Sequence, residues 1–454
     1  MNNIANELKI YELSLIYKEA EYNFAFWDKF DKSFNWDEEY KKALVAVLKT
    51  NNTYDYYLQL MKFISLLKDG HTSISFPDYI MQSKEYSAKL PISIEYVNEN
   101  YVITNVKTIV NQPIKRFSII KKINGIDIKK YIKDNIYPYI YHEKEDSCAY
   151  DAINFLRNGK INEAIELVLE DNDKEYCVSL LRTKGDVTWK YQNIELKSEE
   201  MKCVFSSNSL IIQITYDNIA ILTIDSMMNN EIQKEIFNNY ELLKNAKGYV
   251  IDIRNNSGGS SYNADCIASL FVGNSFKCDN SYYPVQIGLY KAFGIEYGLD
   301  KMDEKEFNEK YLNNEEFKKV YDITHHKYYE HSENIRNIDR KIEKLTGPIA
   351  ILCSCITASA AENFVNIMKY YTKAITIGTS TYGSTGMPLR YDLESGGTLK
   401  ICTRKSLSLD GSEFINIGFK PDIECKLSIN DYQNNNDKIM KEALKIIREK
   451  LNSK

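Results

Sequence analysis

The 454-residue sequence is poor in histidine, with five in all, at positions 71, 142, 325, 326 and 331. No pair stands in His-Glu-x-x-His spacing, which excludes the usual zinc peptidase motif. Nine cysteines are scattered and odd in number; the nearest pair is Cys353 and Cys355, and no Cys-x-x-Cys occurs. Neither a structural zinc nor a disulfide framework is expected from such spacing. A run of about 18 apolar residues is also missing, so no membrane span is expected. The first 19 residues lack a basic segment followed by an apolar one, so no secretion signal is read there. These absences point to a reducing cytoplasm, or to export only if a leader has been removed. The net charge of −5 and the lack of clustered Lys and Arg argue against nucleic acid as a partner.

What is present is an ordinary globular composition, 44% hydrophobic and 27% charged. The abundance of Tyr, Asn, Ile and Lys fits codon usage in an AT-rich genome. The length allows two or three domains. Helical periodicity dominates residues 1–80, as at Leu44, Val45, Val47 and Leu48. Residues 88–200 open with short alternating strands around Ile92, Ile94 and Tyr96, and the Asn124-Gly125 turn follows a strand over 117–123. A helical pair is expected next, over 149–156 and 161–169. Residues 205–430 alternate buried strands (219–224, 249–253, 349–353, 374–377, 399–403) with helices, the pattern of an α/β core. Within it, 302–345 is charged and reads as a strandless helical insertion. Residues 431–454 end in an amphipathic helix.

Three segments could carry chemistry. In the first, an apolar strand runs into the small residues Thr357-Ala358-Ser359-Ala360-Ala361 and then a helix. Such a turn presents a side chain at the end of a sheet, beside free helix N–H groups. By itself, however, Ser359 reads first as a helix N-cap. The second segment, Asp252-Ile253-Arg254-Asn255-Asn256-Ser257-Gly258-Gly259, ends a buried strand in two glycines whose N–H groups could face a ligand. It lacks the Gly-Lys-Ser/Thr ending of a phosphate loop, and Asp252 and Arg254 read as braces of the turn. The third, Lys68-Asp69-Gly70-His71-Thr72, places a histidine in a turn after a helix. His325, His326 and His331 sit in the charged insertion and are expected to be solvated.

Taken together, in order, these segments resemble the C-terminal processing peptidase superfamily, which includes the tail-specific proteases, the tricorn core protease and the interphotoreceptor retinoid-binding protein repeats. The resemblance runs from about Leu66 to Glu424. It rests on Asp69-Gly70-His71-Thr72, a PDZ-like stretch ending at Ile123-Asn124-Gly125, Asp252 to Asn256 with Gly258-Gly259, and Ala358-Ser359-Ala360-Ala361-Glu362. Gly378 to Gly383, and Asp410-Gly411 with Gly418, Pro421 and Asp422, complete it.

The resemblance implies a helical N-terminal piece, a PDZ-like module and a crotonase-related α/β core. It also implies serine-type endopeptidase chemistry through an acyl-enzyme, with no cofactor or metal. The substrate class would be peptide or unfolded protein, with room for a homo-oligomer. Where the dyad branch carries its lysine this chain has Ser384, so the base implied is the histidine of the tricorn-like branch, His71, acting on Ser359. That branch orients its histidine with a Glu whose slot here holds Ile415; Glu413 is the carboxylate expected to serve, with Asp69 and Asp410 as alternatives. It also has a hydroxyl residue where Gly70 stands. The oxyanion is expected at the N–H of Ala360 and of Gly258 or Gly259. Two rival readings remain: a non-catalytic peptide- or ligand-binding protein on the same fold, and, by fold analogy alone, a hydratase-like acyl-CoA enzyme.

Overall fold

Among the strands of the C-terminal half, the central ones, such as Ile219–Thr223 and Ile349–Cys353, are apolar along nearly their whole length because both faces of their sheet are covered. In the computed structural model, which describes residues 3–31, 33–84, 86–185, 188–339 and 343–453, they belong to a seven-stranded sheet. Its order is Lys202–Ser206, Ile211–Ile214, Ile219–Thr223, Gly248–Asp252, Ile349–Cys353, Ile375–Gly378 and Ile423–Glu424. The first two pairings are antiparallel and the other four parallel. Ile251 and Ile351 face the helices Ser261–Val272 and Ala360–Tyr371, sharing a core with Ile267, Phe364 and Met368. Their neighbours Val250, Ala350 and Leu352 face the C-terminal helix Lys438–Asn452 through Met440, Leu444 and Ile447. The α/β architecture expected for this half is the one observed, except that the strand expected over 399–403 pairs outside this sheet.

Helices Asn6–Asn23, Trp36–Leu48 and Thr53–Ile64 form the N-terminal unit. Its core is not closed on itself: Leu13, Ile16, Tyr57 and Leu60 pack with Leu399 and Ile401 of a three-stranded sheet. That sheet pairs Ser73–Ser75 with Thr398–Cys402, and Thr398–Cys402 with Pro388–Asp392. The histidine turn therefore enters the molecule next to strands that follow the nucleophile segment in sequence.

Residues 92–181 form a sheet with the strands Ile92–Val97, Asn100–Val106, Ile119–Ile123, Ala164–Asp171 and Lys174–Leu181. Here the helix expected over 161–169 is a strand. Ile165, Leu167 and Leu169 are buried at a period of two, and the hairpin turns at Asn172-Asp173 with both φ positive, at 48° and 59°. The insertion is corrected as well. Helices Glu304–Tyr311 and Glu315–Thr324 are followed by the strand Tyr329–Asn337, which pairs with Ser275–Pro284. That strand is largely polar on both faces, so it carries no hydrophobic alternation to read; residues 340–342 of the insertion lie outside the described residues. His326 is not freely solvated either, since its ring packs 6.0 Å from that of Trp27. No described helix is long and apolar enough to cross a membrane.

Candidate active site

The strand Ile349–Cys353 and its neighbour Gly248–Asp252 end side by side, and their following loops are stitched together. Ser354 Oγ donates to the carbonyl of Arg254 at 2.5 Å, Thr357 Oγ1 to that of Ile253 at 2.9 Å, and the Ala358 N–H to that of Asn256 at 3.1 Å. Ser359 follows with φ 54° and ψ −121°, immediately before helix Ala360–Tyr371. A residue with a Cβ pays about 1–3 kcal/mol for such a backbone. The surrounding bonds hold it there: the Ser359 N–H donates to the Ser384 carbonyl at 2.9 Å and to Glu362 Oε2 at 3.2 Å. A strained strand-to-helix turn of this kind lifts a hydroxyl clear of the backbone at the N-terminus of a helix.

The histidine turn is built differently. The short helix Ser65–Leu67 ends at Lys68, whose φ is 50°, and Asn416 Nδ2 donates to the Lys68 carbonyl at 2.8 Å. Thr72 Oγ1 donates to the buried Asp69 carboxylate at 2.7 Å and accepts the Cys402 N–H at 2.9 Å. The imidazole of His71 then lies between two hydroxyls. Nε2 is 3.1 Å from Ser359 Oγ, and Nδ1 is 2.6 Å from Ser384 Oγ. With the hydrogen on Nδ1, the Nε2 lone pair faces the Ser359 hydroxyl. Burial first, then the positive fields of Lys400 and Arg404, pull the His71 pKa down to about 4, so the ring is neutral at pH 7 and able to accept a proton.

Glu413, the carboxylate expected to orient His71, is not at Nδ1. The tight turn at Ser408–Ser412, closed by the Ser408 N–H on the Ser412 carbonyl at 2.9 Å, leads it outward. It is half-exposed, with Oε1 3.5 Å from Lys405 Nζ. Asp69 is turned to Thr72, and Asp410 accepts from its neighbour Ser412 at 2.7 Å. The position noted for lacking lysine, Ser384, supplies the contact instead. Gly70 explains how it fits. Its φ is not in the left-handed region, so glycine is not required by conformation; a Cβ there would come within 2.9 Å of Ser384 Oγ and 3.0 Å of the Tyr382 ring. The missing side chain at 70 is the space in which Ser384 sits, and that was the sequence signal for its role.

Of the expected oxyanion donors, Gly258 is the one the geometry disfavours: its N–H is committed to Asn256 Oδ1 at 2.9 Å. Its part is steric, because a Cβ at 258 would stand 2.7 Å from Ser359 Cβ. Ala360 opens the helix, and a first-turn N–H has no intrahelical acceptor. Gly259, at φ 141° against the backbone of Met227 and Met228, is the other loop glycine. Asp252 and Arg254 brace the fold. The guanidinium reaches Asp252 at 2.7 Å and Asp437 at 2.8 Å, and Asp437 caps the C-terminal helix.

Glu362, three residues after Ser359, has no role that the sequence alone indicates. It is fully buried and accepts from Thr381 Oγ1 at 2.5 Å and from the N–H groups of Gly383 at 2.7 Å, Ser384 at 2.9 Å and Ser359 at 3.2 Å. Burial outweighs these bonds and pushes its carboxyl up to about 7. One buried side chain thus ties the nucleophile turn to the loop that holds Ser384; its spacing of three after Ser359 is that of a capping box.

The two reactive side chains open on a cleft of 330 Å³ that also includes Tyr150, Asp151, Ile356, Tyr382 and Lys400. A larger depression of 610 Å³ runs between residues 75–79 and 390–400 and shares Lys400 with it. Among the described residues no group of three or more His, Cys, Asp or Glu is placed to hold a metal ion.

Residues 218–425 match the model of peptidase family S41. That span contains Ser359, Glu362 and Ser384 and leaves out His71. The carboxy-terminal processing protease CtpA of Bacillus subtilis (strain 168) is 24% identical over 184 residues, 40% of this chain and 30% of that protein. A probable CtpA-like serine protease of Staphylococcus epidermidis (strain ATCC 12228 / FDA PCI 1200) is 25% identical over 222 residues, 48% of this chain and 35% of its own. The chain therefore spans about a third of the length of these curated relatives. The solved structure of mature CPAF complexed with lactacystin shares the fold across nearly the whole of both chains. Its TM-score is 0.70 at 15% identity, over 98% of this chain and 99% of that one. These matches bear out the resemblance to the C-terminal processing peptidase superfamily and the fold it implies.

Proposed function

We propose that this relative of the S41 peptidases is a serine-type endopeptidase that cleaves peptide bonds through an acyl-enzyme, with Ser359 as nucleophile and His71 as general base. The observation that carries the reading is the 3.1 Å approach of His71 Nε2 to Ser359 Oγ, two residues 288 positions apart. Such a distance is what proton transfer during attack requires. His71 takes the hydroxyl proton as Oγ adds to the scissile carbonyl. The Ala360 N–H, with Gly259 as the second candidate, receives the developing oxyanion at the helix N-terminus. His71 then gives the proton to the leaving amine, and water attacks the ester by the reverse route. Ser384 is a positioning residue that holds Nδ1 and hence the tautomer. Peptides and unfolded proteins are the substrate class.

A second reading has its own support. Nδ1 meets a hydroxyl rather than a carboxylate, and the ring is pulled down to about 4. Both weaken His71 as a base and favour a slow peptidase or a peptide-binding protein. A fluorophosphonate probe separates the readings. An activated serine labels in the wild type and not in Ser359→Ala; a wild type that stays unlabelled, and cleaves no unfolded protein, would sink the peptidase reading.

A further inference from the structure

Helix Glu145–Arg157 comes from outside the parallel-sheet core, yet its Asp151 reaches the cleft lined by Ser359 and His71. The carboxylate is held in place: Oδ2 accepts the Tyr382 hydroxyl at 2.7 Å, and Tyr382 stands two residues before Ser384. No described cation forms an ion pair with Asp151, and burial, only partly offset by the Tyr382 hydroxyl, pushes its carboxyl up to about 6. At neutral pH the group is still mainly ionised. A half-buried ionised carboxylate that has lost part of its water without gaining a counter-ion is recompensed by any cation brought to it.

The walls suit a long basic side chain. Tyr150, Ile356 and Tyr382 offer apolar and aromatic surface for an alkyl stem or the face of a guanidinium. Lys400, the other charged group of the cleft, is exposed and keeps its hydration, so it has no comparable need of a partner. A carboxylate in a pocket adjoining the nucleophile is a known way for a serine peptidase to select Lys or Arg.

We propose that Asp151 forms a subsite for a Lys or Arg side chain of the peptide, next to the scissile bond; this rests on the peptidase reading above. The bland alternative is that Asp151 only anchors Tyr382.

Matched fluorescent peptides decide it, with Arg in one series and the neutral isostere citrulline at the same positions in the other. Binding is read by anisotropy on Ser359→Ala, and cleavage on the wild type. For at least one position the Arg peptide should bind about tenfold more tightly, the scale of a charge-assisted hydrogen bond. The double variant Ser359→Ala/Asp151→Asn keeps an acceptor for the Tyr382 hydroxyl and should bind both peptides alike. Equal binding of Arg and citrulline peptides by Ser359→Ala overturns the subsite without any need for the second variant. So does a preference that survives Asp151→Asn. Wild-type cleavage of both series at equal rates would leave the peptidase reading standing while Asp151 loses its role. Binding preference without any Ser359-dependent cleavage would do the reverse.

Discussion

The two turns that meet in the cleft are positioned by different means. The serine turn is held by elements next to it in one sheet. Its strand, the adjoining strand's loop and the Glu362 carboxyl fix Ser359 at φ 54° before the chain has left the helix N-terminus. The histidine turn has one local brace, Thr72 on Asp69, and its other holds come from far along the chain. Asn416 grips Lys68 from 348 residues away, and Cys402 grips Thr72 from 330 residues away. The nucleophile is thus fixed chiefly by neighbouring strands of one sheet and their loops, whereas the base is fixed by contacts between the N-terminal unit and the far end of the chain. Loss of packing in the N-terminal unit should therefore disable the base and leave the serine turn in place.

Removing the base tests that contrast most directly. His71→Ala should cut kcat by about 10²–10⁴, the range for general-base catalysis, while the thermal midpoint and the circular dichroism stay as in the wild type. A full-rate His71→Ala enzyme would mean that another group activates Ser359.

Glu362→Gln attacks the local frame. The amide offers one acceptor oxygen where two now serve four donors, so buried N–H groups lose partners. A loss of about 1–3 kcal/mol in chemical denaturation is expected, together with lower labelling of Ser359. An unchanged midpoint would show that the carboxyl does not hold the turn.

Ser384→Ala should lower kcat up to about tenfold with little change in KM, the worth of one neutral hydrogen bond, and Ser384→Thr should restore most of it. The exchange Gly70→Ser with Ser384→Gly returns a hydroxyl from the other side of the same space. Recovery in the exchange above Ser384→Ala would tie the effect to the hydroxyl; equal losses in Ala and Thr variants would reduce Ser384 to packing.

The pH profile gives the smallest and finest test. With His71 pulled down to about 4, the base stays deprotonated well below neutrality. The acid limb of kcat/KM should lie near pH 4, activity falling as pH drops through it, rather than near the ordinary 6.5. Lys400→Gln removes one of the fields that depress the ring and should move the limb to higher pH. A limb near 6.5 in the wild type would mean that the imidazole is better solvated than its burial implies.

Much of this was legible in the chain, and the failures have physical causes. The parallel strands could be read because burial on both faces demands unbroken apolar runs, as at Ile349–Cys353. The polar strand Tyr329–Asn337 could not, because its fold is decided by pairing with Ser275–Pro284 and leaves no mark on side-chain hydrophobicity. Residues 164–171 do carry a period of two, in Ile165, Leu167 and Leu169, and are a strand where a helix is expected over 161–169. At the site, motif order is what distinguishes Ser359 and His71 in the sequence. Glu413 lies near the expected slot in sequence only, and the turn at Ser408–Ser412 sends it to Lys405 instead.

By itself the sequence determined which segments could form a two-sided parallel sheet and which serine stands at its strand–helix junction, because periodicity, small residues and a capping spacing are local. It also held both halves of the Gly70 and Ser384 fit, one residue without a side chain and one with a hydroxyl. Only the tertiary structure decided that the two halves meet, that His71 lies between Ser359 and Ser384, and that Asp151 from a separate helix faces the same cleft. His71 and Ser384 stand 313 positions apart, and a distance across the fold is fixed by how the layers pack, which no short window of sequence records.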